Sequence, residues 1–174
     1  MAEGKNGKKK EREYVRVIHE FDPVWDENSR ILILGSIPSV KSREAGFYYG
    51  NPQNRFWKVI AALTGREAPE SIPEKKRMLL ENQIAVWDVI ASCRIAGSDD
   101  GSIRDVAPND IAGLLEKSRI EKIYANGGKA FELYRKYVFP ETGVEAARLP
   151  STSPANASWS LERLTGRWGE MLGL

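Results

Sequence analysis

Apolar positions along the chain alternate between short continuous runs and runs spaced by three or four residues. Ile31–Leu34 is a continuous apolar run that stops at Gly35, which suits a strand covered on both faces, as in a parallel sheet. Asn51 and Pro52 predict a helix start, with Asn51 as N-cap and Pro52 at the first helical position. Phe56, Val59, Ile60 and Leu63 follow at helical spacing, and Gly65 ends that helix. The alternation then repeats. Helices are predicted over Pro73–Asn82, Pro108–Lys117, Gly128–Tyr137 and Ser158–Leu172, and strands over Ile84–Val89, Ile120–Ala125 and Val144–Leu149. Four strands alternating with helices predict an α/β fold, a three-layer α/β/α sandwich on a four-stranded, mainly parallel central sheet. Ligands of such sheets sit at the carboxyl ends of strands, which leaves three loops to consider: Gly35–Tyr49, Ala91–Ser102 and Pro150–Asn156.

Charge changes the picture at one end only. Residues 1–16 hold six Lys or Arg and three Asp or Glu, leaving twenty basic and twenty-one acidic residues for the remainder. This stretch is read as a basic, disordered tail, and 17–174 as a single domain. The body is no bulk polycation, so any contact with nucleic acid must use a local patch. No apolar run approaches the roughly 20 residues of a membrane span, and the charged start lacks the pattern of a secretory signal.

A single cysteine, Cys93, precludes an internal disulfide, and a lone histidine leaves too few ligands for a structural zinc site. His19 precedes the first core strand and is read as a local hydrogen-bonding or exposed ring rather than a triad member. Catalysis is therefore expected to run on amides, hydroxyls, carboxylates and backbone groups, without metal or cofactor.

The first loop concentrates unusual residues: Gly-Ser-Ile-Pro-Ser from Gly35, then Gly-Phe-Tyr-Tyr-Gly-Asn-Pro-Gln-Asn-Arg-Phe-Trp from Gly46. Backbone N–H groups beside Gly35 and Ser36, a rigid turn at Pro38 and the aromatic rings of Phe47, Tyr48 and Tyr49 suit a planar ligand. Phe56 and Trp57 read as core. Asn54 falls where its amide can project into a cleft. Neither this loop nor Asn126-Gly127-Gly128-Lys129, a second candidate anion nest, carries a dinucleotide or Walker pattern.

Taken whole, Gly35-Ser36-Ile37-Pro38-Ser39, Ser42, Gly46–Gly50 and Pro52–Trp57 resemble the first motif of the uracil-DNA glycosylase superfamily, most closely its hypoxanthine-DNA (deoxyinosine) glycosylases. Leu149–Asn156 resembles the second motif. The position that carries a water-positioning Asn in the mismatch-specific uracil/thymine enzymes is Ile37 here. In the hypoxanthine type that position is also apolar, and the resemblance transfers the catalytic role to Asn54. It further implies a base pocket built from Gly35, Ser36, Ile37, Pro38, Ser39, Tyr49 and Asn51, with Tyr49 stacking on the flipped base. Ser42, Pro150, Ser151, Thr152, Ser153, Pro154 and Asn156 are expected to contact DNA. Asp88, Arg94, Ser98 and Asp99 are candidates for shaping the pocket.

The chemistry expected is hydrolysis of an N-glycosidic bond, with Asn54 orienting water or donating to the base and no lysine in the motifs to attack the sugar. The base must first leave the duplex. Hypoxanthine is the expected target and DNA the partner, for a monomer working in the cytoplasm. Alternatives are a uracil or G:U/G:T mismatch glycosylase, a non-catalytic binder of damaged DNA, and a nucleotide-binding α/β protein.

Overall fold

The computed structural model describes residues 12–174. Its elements, in chain order, are β1 (Val15–Ile18), β2 (Ile31–Gly35), α1 (Val40–Ala45), α2 (Phe56–Leu63), α3 (Ile72–Glu81), β3 (Ile84–Asp88), β4 (Ile90–Ile95), β5 (Arg104–Pro108), α4 (Ile111–Lys117), β6 (Lys122–Asn126), α5 (Gly128–Tyr137), α6 (Phe139–Thr142), β7 (Ala146–Leu149) and α7 (Leu161–Leu172). A parallel sheet of order β3-β2-β6-β7 forms the middle layer.

The strand period of two divides the core between the faces of this sheet. Ile33 on β2 packs with Val59 and Ile60 of α2, Met78 and Leu79 of α3, and Leu164 and Trp168 of α7. Its neighbours Leu32 and Leu34 point the other way, onto Ile111 and Leu114 of α4 and Leu133 and Tyr134 of α5. All three β2 side chains are fully buried. The three-layer α/β/α arrangement around four parallel strands is thus the one that the hydrophobic pattern predicts.

The second layer of organisation is not in that pattern. Ala91–Ser102, expected as a loop, is strand in its first five residues: β4 pairs antiparallel with β1 and with β5. Alternation along β4 is masked because Ala91 and Ser92 fall between the buried Ile90 and Cys93. β1 starts inside the stretch expected as tail, with Val15 facing Ile95 and Arg16 facing Arg94. The lysines of that tail lie outside the described residues. Pro108 closes β5 instead of opening a helix, and α4 starts three residues later with Asp110 capping Gly113 N–H at 3.0 Å.

The helix expected from Asn51 starts at Phe56, and Asn51–Asn54 is a turn. Asn51 Oδ1 accepts from Gln53 N–H (3.0 Å) and Asn54 N–H donates to the Asn51 carbonyl (2.9 Å). This pulls Asn54 off the helix and onto its mouth. α7 offers a test of core assignment: Leu164 is fully buried whereas Leu161 is 40% exposed. Leu164→Ala is expected to lower stability by about 2–5 kcal/mol, and Leu161→Ala to change it little, in urea unfolding.

Candidate active site

Gly35, Asp88, Asn126 and Leu149 end the four parallel strands and meet at one cavity of about 840 Å³. That volume lies within the usual range of roughly 300–1,000 Å³ for small-ligand sites. Gly35, Ser36, Ile37, Pro38, Ser39, Tyr49, Asn51 and Asn54 all line it, as do Pro150, Ser151, Ser153 and Asn156. The two segments read as motifs, about a hundred positions apart, are therefore brought to one place.

Arg55 makes the junction. Its guanidinium donates to the carbonyls of Ser153 (2.9 Å), Asn156 (3.0 Å) and Trp159, and its Nε to that of Thr152 (3.4 Å). The Arg55 backbone N–H also donates to Thr152 O at 3.1 Å. A planar cation with five donors is suited to a loop whose carbonyls turn inward.

Asn54, one position earlier, is fixed by the same loop. Its Oδ1 accepts from Phe56 N–H (2.9 Å) and from Thr152 Oγ1 (2.8 Å). Thr152 Oγ1 in turn accepts from Asn126 Nδ2 (3.0 Å), and Thr152 N–H donates to Asn126 Oδ1 (3.1 Å). Both lone pairs of the Asn54 carbonyl are engaged, so the group it offers the cavity is its NH₂. Asn54 is a donor here, not an acceptor.

Some expected residues do other work. Thr152 is fully buried and Ser42 is 3% exposed, so neither reaches a phosphate. Ser42 Oγ accepts from Gly50 N–H (3.0 Å) and from Ser39 Oγ (3.1 Å), tying α1 to the loop. Pro154 is exposed and outside the cavity wall. Phe47 and Tyr48 are core: Phe47 stacks on Trp57, and the Tyr48 hydroxyl donates to Asp22 O at 2.9 Å. One face of the Tyr49 ring is covered by Phe56, nearly parallel at 4.0 Å. Tyr49 holds a left-handed backbone (φ 52°) and its hydroxyl is buried with no hydrogen-bond partner, the kind of local strain that persists where the surroundings enforce it. Ser98 joins the wall, whereas Arg94 and Asp99 face outward, toward Asp105 and Arg12.

Sequence reasoning set His19 aside. Its side chain is only 2% exposed, and Nε2 donates to Asp88 Oδ2 at 2.7 Å, across 69 positions of sequence. Burial pushes the Asp88 carboxyl above the usual carboxylate range, and the His19 contact pulls it back. The same burial raises both Tyr48 and Tyr49 far above the ordinary phenol value. Arg43, Lys129, Arg148 and Arg167 also line the cavity. A local basic patch thus exists on a nearly neutral body. Among these, Arg148 lies against the Gly127-Gly128 turn, where a Cβ on Gly128 would meet its guanidinium at 2.8 Å.

A family model described as the uracil DNA glycosylase superfamily matches residues 23–169. The chain belongs to that superfamily. It is 40% identical over 145 residues to a hypoxanthine DNA glycosylase of Methanosarcina acetivorans, covering 82% of this chain and 90% of the relative. A hypoxanthine DNA glycosylase of Methanosarcina barkeri is 34% identical over 152 residues, covering 86% and 94%. A solution NMR structure from Methanosarcina acetivorans, of a protein provisionally described as a uracil DNA glycosylase, superposes with a TM-score of 0.72 at 38% identity, covering 84% and 91%. The uracil DNA glycosylase fold thus accounts for both motifs and for the cavity between them.

Arg55→Ala is expected to lower stability by about 2–3 kcal/mol, since several inward carbonyls lose a charged donor. Arg55→Lys should recover only part of that loss, because one ammonium cannot span them. Thermal melting of the two variants checks both statements.

Proposed function

We propose that this DNA glycosylase hydrolyses the N-glycosidic bond of hypoxanthine in DNA and leaves an abasic site. The observation that carries the reading is the 2.8 Å bond from Thr152 Oγ1 to Asn54 Oδ1. It joins the two superfamily segments and leaves the Asn54 NH₂ as the group offered to the cavity.

Bond breaking builds negative charge on the departing base and positive charge on the sugar. A donor held in place before the reaction stabilises the first without reorganising. Asn54 Nδ2 is such a donor, and its carbonyl is pinned from two sides, so the NH₂ has one direction to face. Ile37 lines the same cavity and offers water no polar group, which favours hypoxanthine over uracil as the target.

The bond to be broken is shielded in the base stack, so the target nucleotide enters alone, after unstacking that costs a few kcal/mol. Arg43, Lys129, Arg148 and Arg167 around the cavity suit the phosphates on either side of it, and such contacts position without reading sequence. The enzyme acts as a monomer in the cytoplasm.

Labelled duplexes carrying inosine, uracil or a G·T pair, followed by alkaline cleavage of abasic sites, test the reading. Preferential cutting at inosine is expected. Equal or faster cutting at uracil would replace hypoxanthine with uracil as the substrate, and binding without any cutting would make the protein a damage binder. Asn54→Ala is expected to lose about 100-fold or more in turnover while circular dichroism shows a retained fold.

A further inference from the structure

Asp88 ends β3 and pairs in register with Gly35. Its side chain is 6% exposed, and the carboxylate is divided between two tasks. Oδ2 takes the His19 hydrogen bond at 2.7 Å. Oδ1 lies directly over Gly35, where an added Cβ would stand 2.2 Å away from it. No donor among the described residues reaches Oδ1, and Asp88 lines the cavity. The Tyr49 hydroxyl lies 3.4 Å from that same point above Gly35, buried and without a partner. Asp88 Oδ1 thus offers the cavity floor an unspent acceptor, with the Tyr49 hydroxyl sealed beside it. Leaving either unpaired in a protein interior is unfavourable, and glycine at position 35 is what gives them room.

We propose that Asp88, oriented by His19, reads the ring N–H of the flipped base through Oδ1. The assignment rests on the glycosylase reading above and names a specificity side chain of that pocket. Hypoxanthine presents a ring N–H donor, and Oδ1 presents the acceptor that it needs. Adenine presents an amino group beside a bare ring nitrogen, whose lone pair would face the Asp88 carboxylate. A buried mismatch of this kind discriminates strongly, because both partners lose their hydrogen bonds.

His19 is a positioning residue in this scheme. By occupying Oδ2 it aims Oδ1 at the cavity, and its hydrogen bond opposes the burial that raises the Asp88 carboxyl above the usual carboxylate range. Were Asp88 protonated, it would donate and would suit the wrong edge. His19 is itself boxed by Phe21 and Tyr48, with ring centroids 4.7 and 5.7 Å away. The titratable groups around Asp88 are His19, from the segment after β1, and Tyr48 and Tyr49, from the loop after α1. His19 also lies outside residues 23–169, the span that the family model matches.

The decisive experiment compares single-turnover cleavage of duplexes carrying inosine, N1-methylinosine or adenine by the full-length chain and by Asp88→Asn, Tyr49→Phe, His19→Ala and His19→Gln. The wild type is expected to cut inosine and to reject the N1-methylated base, which lacks the ring N–H. Asp88→Asn should slow inosine cleavage by about 10- to 100-fold and raise the adenine-to-inosine ratio, which a purely structural loss would leave unchanged. Tyr49→Phe should leave the adenine-to-inosine ratio where it is in the wild type, with an equal or higher Tm, since a partnerless buried hydroxyl is removed. In His19→Ala, Asp88 holds its proton to higher pH, so the rate should rise with pH later than in the wild type. His19→Gln, still able to donate, should bring that limb back. Wild-type cutting of N1-methylinosine as fast as inosine overturns this assignment alone, even if Asp88→Asn fails to fold. An unchanged adenine-to-inosine ratio in a folded Asp88→Asn does the same. No wild-type cutting of inosine overturns the glycosylase reading and this one with it.

Discussion

The site depends on one cation. Arg55 stands between the turn that carries Asn54 and the helix that packs on the central sheet, and it holds the backbone of the loop after β7 by its carbonyls. A loop of this kind, with small hydroxyl residues and no apolar anchor of its own, would otherwise satisfy its carbonyls with water and move with it. Held by Arg55, it presents Thr152 to Asn54 from a fixed direction. The Asn54 amide is therefore oriented by residues that come from the far end of the chain. Folding must bring β7 beside β6 before Asn54 has a defined face.

The same economy of groups governs the floor of the cavity. A buried carboxylate beside a buried imidazole is unfavourable to keep unless its charge and hydrogen bonds are matched. The His19–Asp88 pair supplies one half of that match, and the open Oδ1 marks where the other half is missing from the protein. Tyr49 is similar: its ring is spent on Phe56, its backbone is strained, and its hydroxyl goes unpaired. Cores do not ordinarily retain such features. They gather here at the carboxyl ends of β2 and β3, at the place where a parallel sheet exposes its strand ends to a ligand.

The central sheet and its helices were legible because each buries a whole face, and burial writes a period into the sequence. Ile31–Leu34 and Gly128–Tyr137 show this directly, appearing as elements almost where the spacing puts them. The outer sheet was not legible, because β1 and β5 are short, half-exposed edge strands whose alternation is diluted by charge. Asn51 illustrates a local ambiguity. Asn followed by Pro is equally a helix cap and a turn, and here the turn prevails because it delivers Asn54 to the loop after β7. The aromatic trio divided likewise: Phe47, Tyr48 and Tyr49 are adjacent and chemically alike, yet two entered the core and one reached the cavity.

By itself, the sequence determined the fold class, the superfamily and the segments that form the cavity, since these follow from hydrophobic period and from motifs contiguous along the chain. Only the tertiary structure decided which atoms those segments present. The direction of the Asn54 amide, the burial of Thr152 and Ser42, and the pairing of His19 with Asp88 all depend on contacts between residues far apart in sequence. Hydrogen bonds act over about 3 Å, and nothing in a linear pattern records which distant groups folding will bring within that reach.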